Sequence, residues 1–457
     1  MQQNDRMTMM AEAPVHQVLV RMSLPMMISF FIQAMYNIVD SMFVARISEH
    51  ALTAVSLAFP MQMIVVAISV GMTTGVSAVW ARYMGMGRQD KASATIRTMT
   101  ALCSIVSVLF IVLGIFVTGP LYRFQTDVAD IAEMGAVYLT INWVAAFGGI
   151  FGKYYERLLV SSGRSILSMI SMASGAVFNL IFDPLLIFGI GPFPALGVAG
   201  AAYATIGGQI LAGIIGIIFN WKHNEPVRHD MLRLAFHADA ALDILRVGAP
   251  TMLTMGLSSV TNFTINRILG SYSTTAIAVQ GIWMKLQNFC YMPAFGLNNG
   301  MIPILSYNYG HGRPDRVRKT MNLAIGACAI LMTVLLIVFE LIPGSILTLF
   351  NAGDHMREIG TMCLRACVIS LPFGAVSMML STSMQALDHS RYALTINLLR
   401  QCVLMIGCFS LLSALTHSER HLWFAVPTTE IITFAVSCLL NRRFRKAIMK
   451  PRESAEE

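Results

Sequence analysis

The chain has 457 residues, of which 56% are hydrophobic and only 12% charged, about half the charge of an ordinary soluble domain. So few charges cannot cover a globular surface, and the length exceeds a single soluble core of ~250–300 residues. A soluble enzyme, a disordered chain and a secreted disulfide scaffold are excluded, and an integral membrane protein remains. The net charge of +8 then reads as the positive bias of cytoplasmic loops and not as a nucleic-acid surface.

Apolar runs follow one another at 24–46, 51–80, 94–118, 129–152, 165–189, 196–220, 247–270, 274–305, 319–343, 358–381, 391–413 and 421–441. A spanning helix takes about 20 apolar residues, and none of these runs alternates as a barrel strand does. The sequence predicts an all-α membrane protein of twelve transmembrane helices. No short apolar core with a small-residue cleavage site precedes the first run, so no cleaved signal peptide is expected.

The first helix carries Gln33, Tyr36, Asn37 and Asp40, spaced to share one face. The second offers Gln62 and the methionines Met61, Met63 and Met72, as core filling or as an adaptable cavity wall. At the end of the fourth, Glu156 sits beside Arg157 and reads as a loop contact. The fifth holds Asn179 and Asp183, four apart, with Pro184 next. Charge inside a span is costly and marks function. Asp40 lies 16 residues into its run and Asp183 lies 18 into its own, about 24–27 Å from the same membrane edge. The two carboxylates therefore predict one site for a proton or a cation. Beyond residue 247 the polar candidates are Ser258 and Asn262, then Met284, Lys285 and Gln287, then Arg400 and finally Glu430. Lys285, Arg400 and Glu430 read either as a structural ion pair or as part of a cavity.

The sequence also repeats itself at one fixed offset. Arg21 matches Arg246, Pro25 Pro250, Gly71 Gly296 and Gly75 Gly300; Gly85, Gly87, Arg88 and Asp90 match Gly310, Gly312, Arg313 and Asp315. Gln33, Tyr36 and Asn37 fall on Ser258, Thr261 and Asn262, but Asp40 falls on Ile265 and Asp183 on Cys408. The acidic site thus belongs to one half only. The expected units are an N-terminal six-helix lobe (1–220), a cytoplasmic linker (221–246), a C-terminal six-helix lobe (247–441) and a basic tail (442–457). Six is even, so the halves are a parallel repeat about an axis along the membrane normal. With both termini cytoplasmic, 24 of the 32 basic residues lie on the cytoplasmic side, four outside and four within spans, which fixes the expected orientation.

No nucleotide-binding loop, HExxH or GxSxG pattern occurs, so transport would draw on an ion gradient. The chain resembles the multidrug and toxic compound extrusion (MATE) transporters, and most closely their MepA-like bacterial branch. The resemblance rests on Pro25 through Asp40 and Ser41, on Asn179 to Gly189, on Gly197 to Thr205 and on Pro303 to Gly312. It implies two lobes around a central cavity and export of small cationic lipophilic compounds in exchange for H⁺ or Na⁺. It further implies no cofactor beyond the coupling ion and a monomer multi-pass in the plasma membrane. It assigns the coupling site to Asp40, Asn179 and Asp183, with Tyr36 and Thr205. Gln33, Asn37, Gln62, Ser258, Asn262, Gln287, Met284, Lys285 and Arg400 are the cavity candidates. One branch has an acidic sodium site on the seventh and tenth helices, and Ser258 stands here where its carboxylate would be. A lipid-linked glycan flippase would want a strongly cationic cavity, and an intramembrane enzyme a histidine, cysteine or metal cluster. A passive channel fits poorly with a two-lobe repeat acidic on one side.

Overall fold

The computed structural model describes residues 9–348, 354–416 and 418–448. Arg6 and most of the expected tail, from residue 449, lie outside them. The described residues are helical and contain no strand. The spans are α1 (Val15–Ala45), α2 (Glu49–Gly85), α3 (Gln89–Phe116), α4 (Ala129–Val144 with Ala146–Ser161), α5 (Ser165–Phe188) and α6 (Val198–His223). They continue as α7 (Ala238–Gly270), α8 (Thr274–Gly310), α9 (Pro314–Leu341), α10 (Asp354–Val368 with Ser370–Ala386), α11 (Ser390–Thr416) and α12 (Ala425–Ile448). Eight of these are long and apolar enough to cross a bilayer alone, and the bent pairs α4 and α10 raise the number to ten. The other two, α7 and α8, are 33 and 37 residues long and carry more polar side chains. This is the expected all-α membrane fold of twelve helices.

Several helices outrun their apolar stretches. α1 starts at Val15, well before its run opens at Leu24, and α7 at Ala238, well before its run opens at Val247. The expected linker is thus helical at both ends, with a short helix, Glu225–Arg228, between them.

The repeat is visible in local chemistry. Ser48 caps α2 by accepting the Ala51 N–H at 3.0 Å, and Ser273, its counterpart in the second half, caps α8 by accepting from Ala276 at 3.0 Å. α4 bends by 43° at Ala145, and α10 bends by 40° at Ile369, next to the equivalent position. In α10, Pro372 lacks the N–H that would reach the Val368 carbonyl and so announces the bend; α4 has no proline at its break.

The two halves meet through α2 with α7 and α1 with α8. The repeated glycines form this seam. A Cβ on Gly71 would collide with Met252, and one on Gly296 with Met27, and these two methionines are themselves repeat counterparts. A Cβ on Gly85 would strike the Tyr307 carbonyl, and one on Gly310 the Arg82 carbonyl, again a pair related by the repeat. Small residues allow helix backbones to touch in this way. Polar bonds reinforce the same end of the molecule. Arg82, 6% exposed, reaches Asp388 at 2.6 Å and Asp243 at 3.8 Å, and the Tyr83 hydroxyl donates to Asp243 at 2.7 Å. Arg316 donates to the carbonyls of Met10 and Ala13 at 3.0 and 2.7 Å, tying the start of the N-terminal half to the C-terminal half. All of these contacts lie toward the end of the bundle where α1 and α7 begin.

Candidate functional site

The acidic site is built from α1, α2, α4, α5 and α6. α5 and α6 lie close because Gly175 and Gly208 face each other, and a Cβ on either would come within 2.5 Å of the other's carbonyl oxygen. This contact carries Thr205 to the α5 face that bears Asn179 and Asp183. Pro184 lies inside α5 without ending it; the helix stops at Gly189, which takes a left-handed φ of 70°. Pro184 lacks the N–H that would reach the Leu180 carbonyl.

Asp183 is fully buried and Asn179 is 2% exposed. With its amide nitrogen turned to the carboxylate, Asn179 donates to Asp183 Oδ2 at 3.0 Å and accepts from the Thr205 hydroxyl and backbone N–H, both at 3.2 Å. One side chain thereby joins α5 to α6 and supplies the acid with a donor. Asp40, half-buried on α1, brings its carboxyl within hydrogen-bonding reach of Asp183. Asp40 Oδ1 is buried and receives no donor from the protein among the described residues. An orphaned acceptor facing a second carboxyl is where a proton or a cation would sit, since two carboxylates at this separation repel unless something positive lies between them.

Two tyrosines close the site. Tyr36 on α1 lies beside Gln33, and Tyr138 on α4 lies beside Gln62 on α2; both lie within electrostatic range of Asp40 and Asp183. The structure thus gathers Asp40, Asp183, Asn179, Thr205, Tyr36, Gln33 and Gln62. Asn37 differs. It is exposed, at the edge of the helical arc that the other three α1 residues share. Tyr138 is the member that sequence reasoning missed, because a neutral aromatic in an apolar run carries no signal of its own. Glu156 is not a loop contact: it lines a narrow cavity within the N-terminal half together with Asn179 and Thr205.

The C-terminal candidates do not form a single cluster. Arg400 Nε donates to Glu430 Oε1 at 2.8 Å, with Glu430 fully buried. Arg400 stands on a π-helical stretch of α11, Leu399–Met405, and the Thr261 hydroxyl of α7 donates to the Gln401 carbonyl within it at 3.0 Å. Such stretches break the regular ladder and recur at functional sites. Lys285 takes no part: it is exposed on α8 and has no ion pair among the described residues. Ser258 spends its hydroxyl on the Met255 carbonyl at 2.7 Å. Asn262, Gln287 and Met284 are half-buried. Met72 and Met301 are core residues, at 1% and 0% exposure.

Known proteins place this architecture. The family model MatE matches residues 25–185 and again 250–409, two stretches that start on the repeat counterparts Pro25 and Pro250 and together cover more than half of the chain. A protein of Shewanella oneidensis named FAD transporter is 25% identical over 431 residues, 93% of this chain and 94% of that one. The multidrug export protein MepA of Staphylococcus haemolyticus is 26% identical over 431 residues, 93% and 92% of the respective chains. Among solved structures, one described as the outward-facing conformation of a multidrug resistance MATE family transporter superposes with a TM-score of 0.88 at 22% identity, covering 96% of this chain and 98% of that one. A MOP superfamily transporter from Pyrococcus furiosus, described as having a binding pocket of reverse polarity, also gives 0.88 at 22% identity, with 97% and 98% covered. The chain belongs to the MATE family, and it is a transporter and not an enzyme.

Proposed function

We propose that this chain exports cationic lipophilic compounds in exchange for H⁺ or Na⁺, with Asp40 and Asp183 holding the coupling ion. The observation that carries the reading is the carboxyl pair, with its orphaned oxygen on Asp40 and its amide support from Asn179. Loading the pair would neutralise it and change how α1 packs on α5, and the lobes would then exchange inward- and outward-open states around a fixed site. With the basic loops cytoplasmic, the sealed end of the seam would face the cytoplasm. The transporter would act as a monomer, both termini cytoplasmic.

The test is transport by purified protein in proteoliposomes under an imposed pH gradient and, separately, a sodium gradient. Asp40→Asn and Asp183→Asn should abolish gradient-driven efflux of ethidium while leaving membrane expression intact. Full gradient-driven efflux in both variants would overturn the reading. A second reading has an observation of its own: Lys285 is an exposed cation of the C-terminal half with no ion pair among the described residues, and one relative bears the name FAD transporter. An anionic dinucleotide would suit that residue. Parallel assays with ethidium and with FAD separate the two, and Lys285→Gln should weaken only FAD transport if the second reading holds.

A further inference from the structure

A cavity of about 90 Å³ runs inside the N-terminal half, away from the seam between the lobes. Its upper end is bounded by Tyr36, Asn179 and Thr205, the supports of the acidic pair. Its lower end is bounded by Lys153 and Glu156. Between these ends, α5 contributes Ser171 and α6 contributes Gln209. Asn179 and Ser171 are two helical turns apart on one helix, about 12 Å. Glu156 lies near Ser168, one turn from the start of α5 at Ser165, so it stands close to the membrane edge where that helix begins. A polar cavity of this size has room for a few ordered waters.

We propose that this cavity is the exit by which the coupling ion leaves the Asp40–Asp183 pair toward the cytoplasm, that the ion is a proton, and that Glu156 is its acceptor at the far end. The inference rests on the coupling role given above to the acidic pair. The size and lining of the cavity decide between ions. Lys153 and Arg157 flank Glu156 from its own helix, while α5 and α6 present only neutral groups to the cavity. A sodium ion would have to keep a shell of oxygen ligands through a cavity of about 90 Å³ and pass the Lys153 ammonium as well. A proton meets the same ammonium, but it moves along hydrogen-bonded waters and needs no shell of ligands of its own. It leaves a carboxyl oxygen of the pair, hops along hydrogen-bonded waters and binds a Glu156 oxygen, which then releases it to bulk water. The route also has a functional consequence. Proton release does not pass through the gap between the lobes, so a substrate entering that gap from the cytoplasm does not block it.

The experiment uses the full chain in proteoliposomes with ethidium as probe. Two rates are measured: net transport driven by a pH gradient, and ethidium–ethidium exchange with no gradient, which needs no proton to cross. Two variants are compared with the wild type. Glu156→Gln removes the acceptor, and Ala212→Leu narrows the cavity midway without touching a titratable group. Both should slow pH-driven transport by about tenfold or more, with exchange at the wild-type rate, and Glu156→Asp should restore the driven rate. Wild-type driven transport in Glu156→Gln overturns the inference. Equal loss of both rates also overturns it, because that marks a structural role for Glu156. A wild type that ignores the pH gradient but follows a sodium gradient removes the proton assignment while leaving the acidic pair as the coupling site. A wild type driven by neither gradient removes the coupling reading beneath it.

Discussion

The identity of the two acids was legible in the sequence because a carboxylate in an apolar run is conspicuous, and the matched depths of Asp40 and Asp183 indicated that they could meet. Their support was only partly legible. Asn179 shares a helical face with Asp183, and the structure adds that its amide spans two helices at once. Tyr138 was invisible, because only the packing of α4 on α2 brings it to Gln62. The amide gives a prediction at this scale. Asn179→Leu keeps the branched shape of the side chain but leaves fully buried Asp183 without its amide donor, a loss of about 1–3 kcal/mol. The melting temperature in detergent should fall by a few degrees and gradient-driven efflux should drop sharply. Asn179→Gln, which can still donate, should fall between.

Helix existence was legible for all twelve spans, and helix shape only in part. Apolar periodicity says how far a segment can stay in lipid, but α1 and α7 gain further turns from packing beyond their apolar runs. The bend at Ile369 has a local cause in Pro372, which lacks the N–H that would reach the Val368 carbonyl, whereas the bend at Ala145 has no such proline. The two bends recur at almost equivalent sites in the two halves, which points to the shared tertiary arrangement. The π-helical stretch of α11 has no counterpart in α5, so here the halves diverge: one helix stays α-helical past Pro184 and carries an acid, the other turns π-helical and holds Arg400 against Glu430. The close pairing of α5 and α6 yields a prediction for the element. Gly208→Val places two methyl groups against the Gly175 carbonyl, where even a Cβ has only 2.5 Å. The helices must separate, Thr205 must move off Asn179, and overpacking of this kind costs about 1–3 kcal/mol. Lower thermal stability together with lost coupling is expected, whereas Gly256→Ala, where a Cβ meets open space, should leave both unchanged.

For the whole molecule, the sealed seam is held by glycine contacts along its length and by the Arg82 clasp at its end. Arg82 is 7% exposed at its side chain, and its carboxylate partners are about a third exposed, so the clasp is worth less than a fully buried pair, about 1–3 kcal/mol. Arg82→Gln should shift the lobes toward the opposite conformation. The measurement is a spin-label distance between positions 89 and 315, at the starts of α3 and α9. A longer distance population should grow in the variant, and an unchanged distribution would assign the seam to the glycines alone.

The reciprocity of Gly85 and Gly310 has an evolutionary consequence. Each occupies the other's missing side-chain space through the other's helix, which is the relation between partners in an isologous dimer, where one patch fits its own copy. A six-helix ancestor with these glycines would already have carried a surface complementary to itself. Joining two copies in one chain then required no new interface. It required only that the seam be kept while each copy became free to change elsewhere. The seam contacts of Gly71, Gly85, Gly296 and Gly310 are kept in both halves, and the acidic pair and the Arg400 ion pair lie in the parts that duplication released.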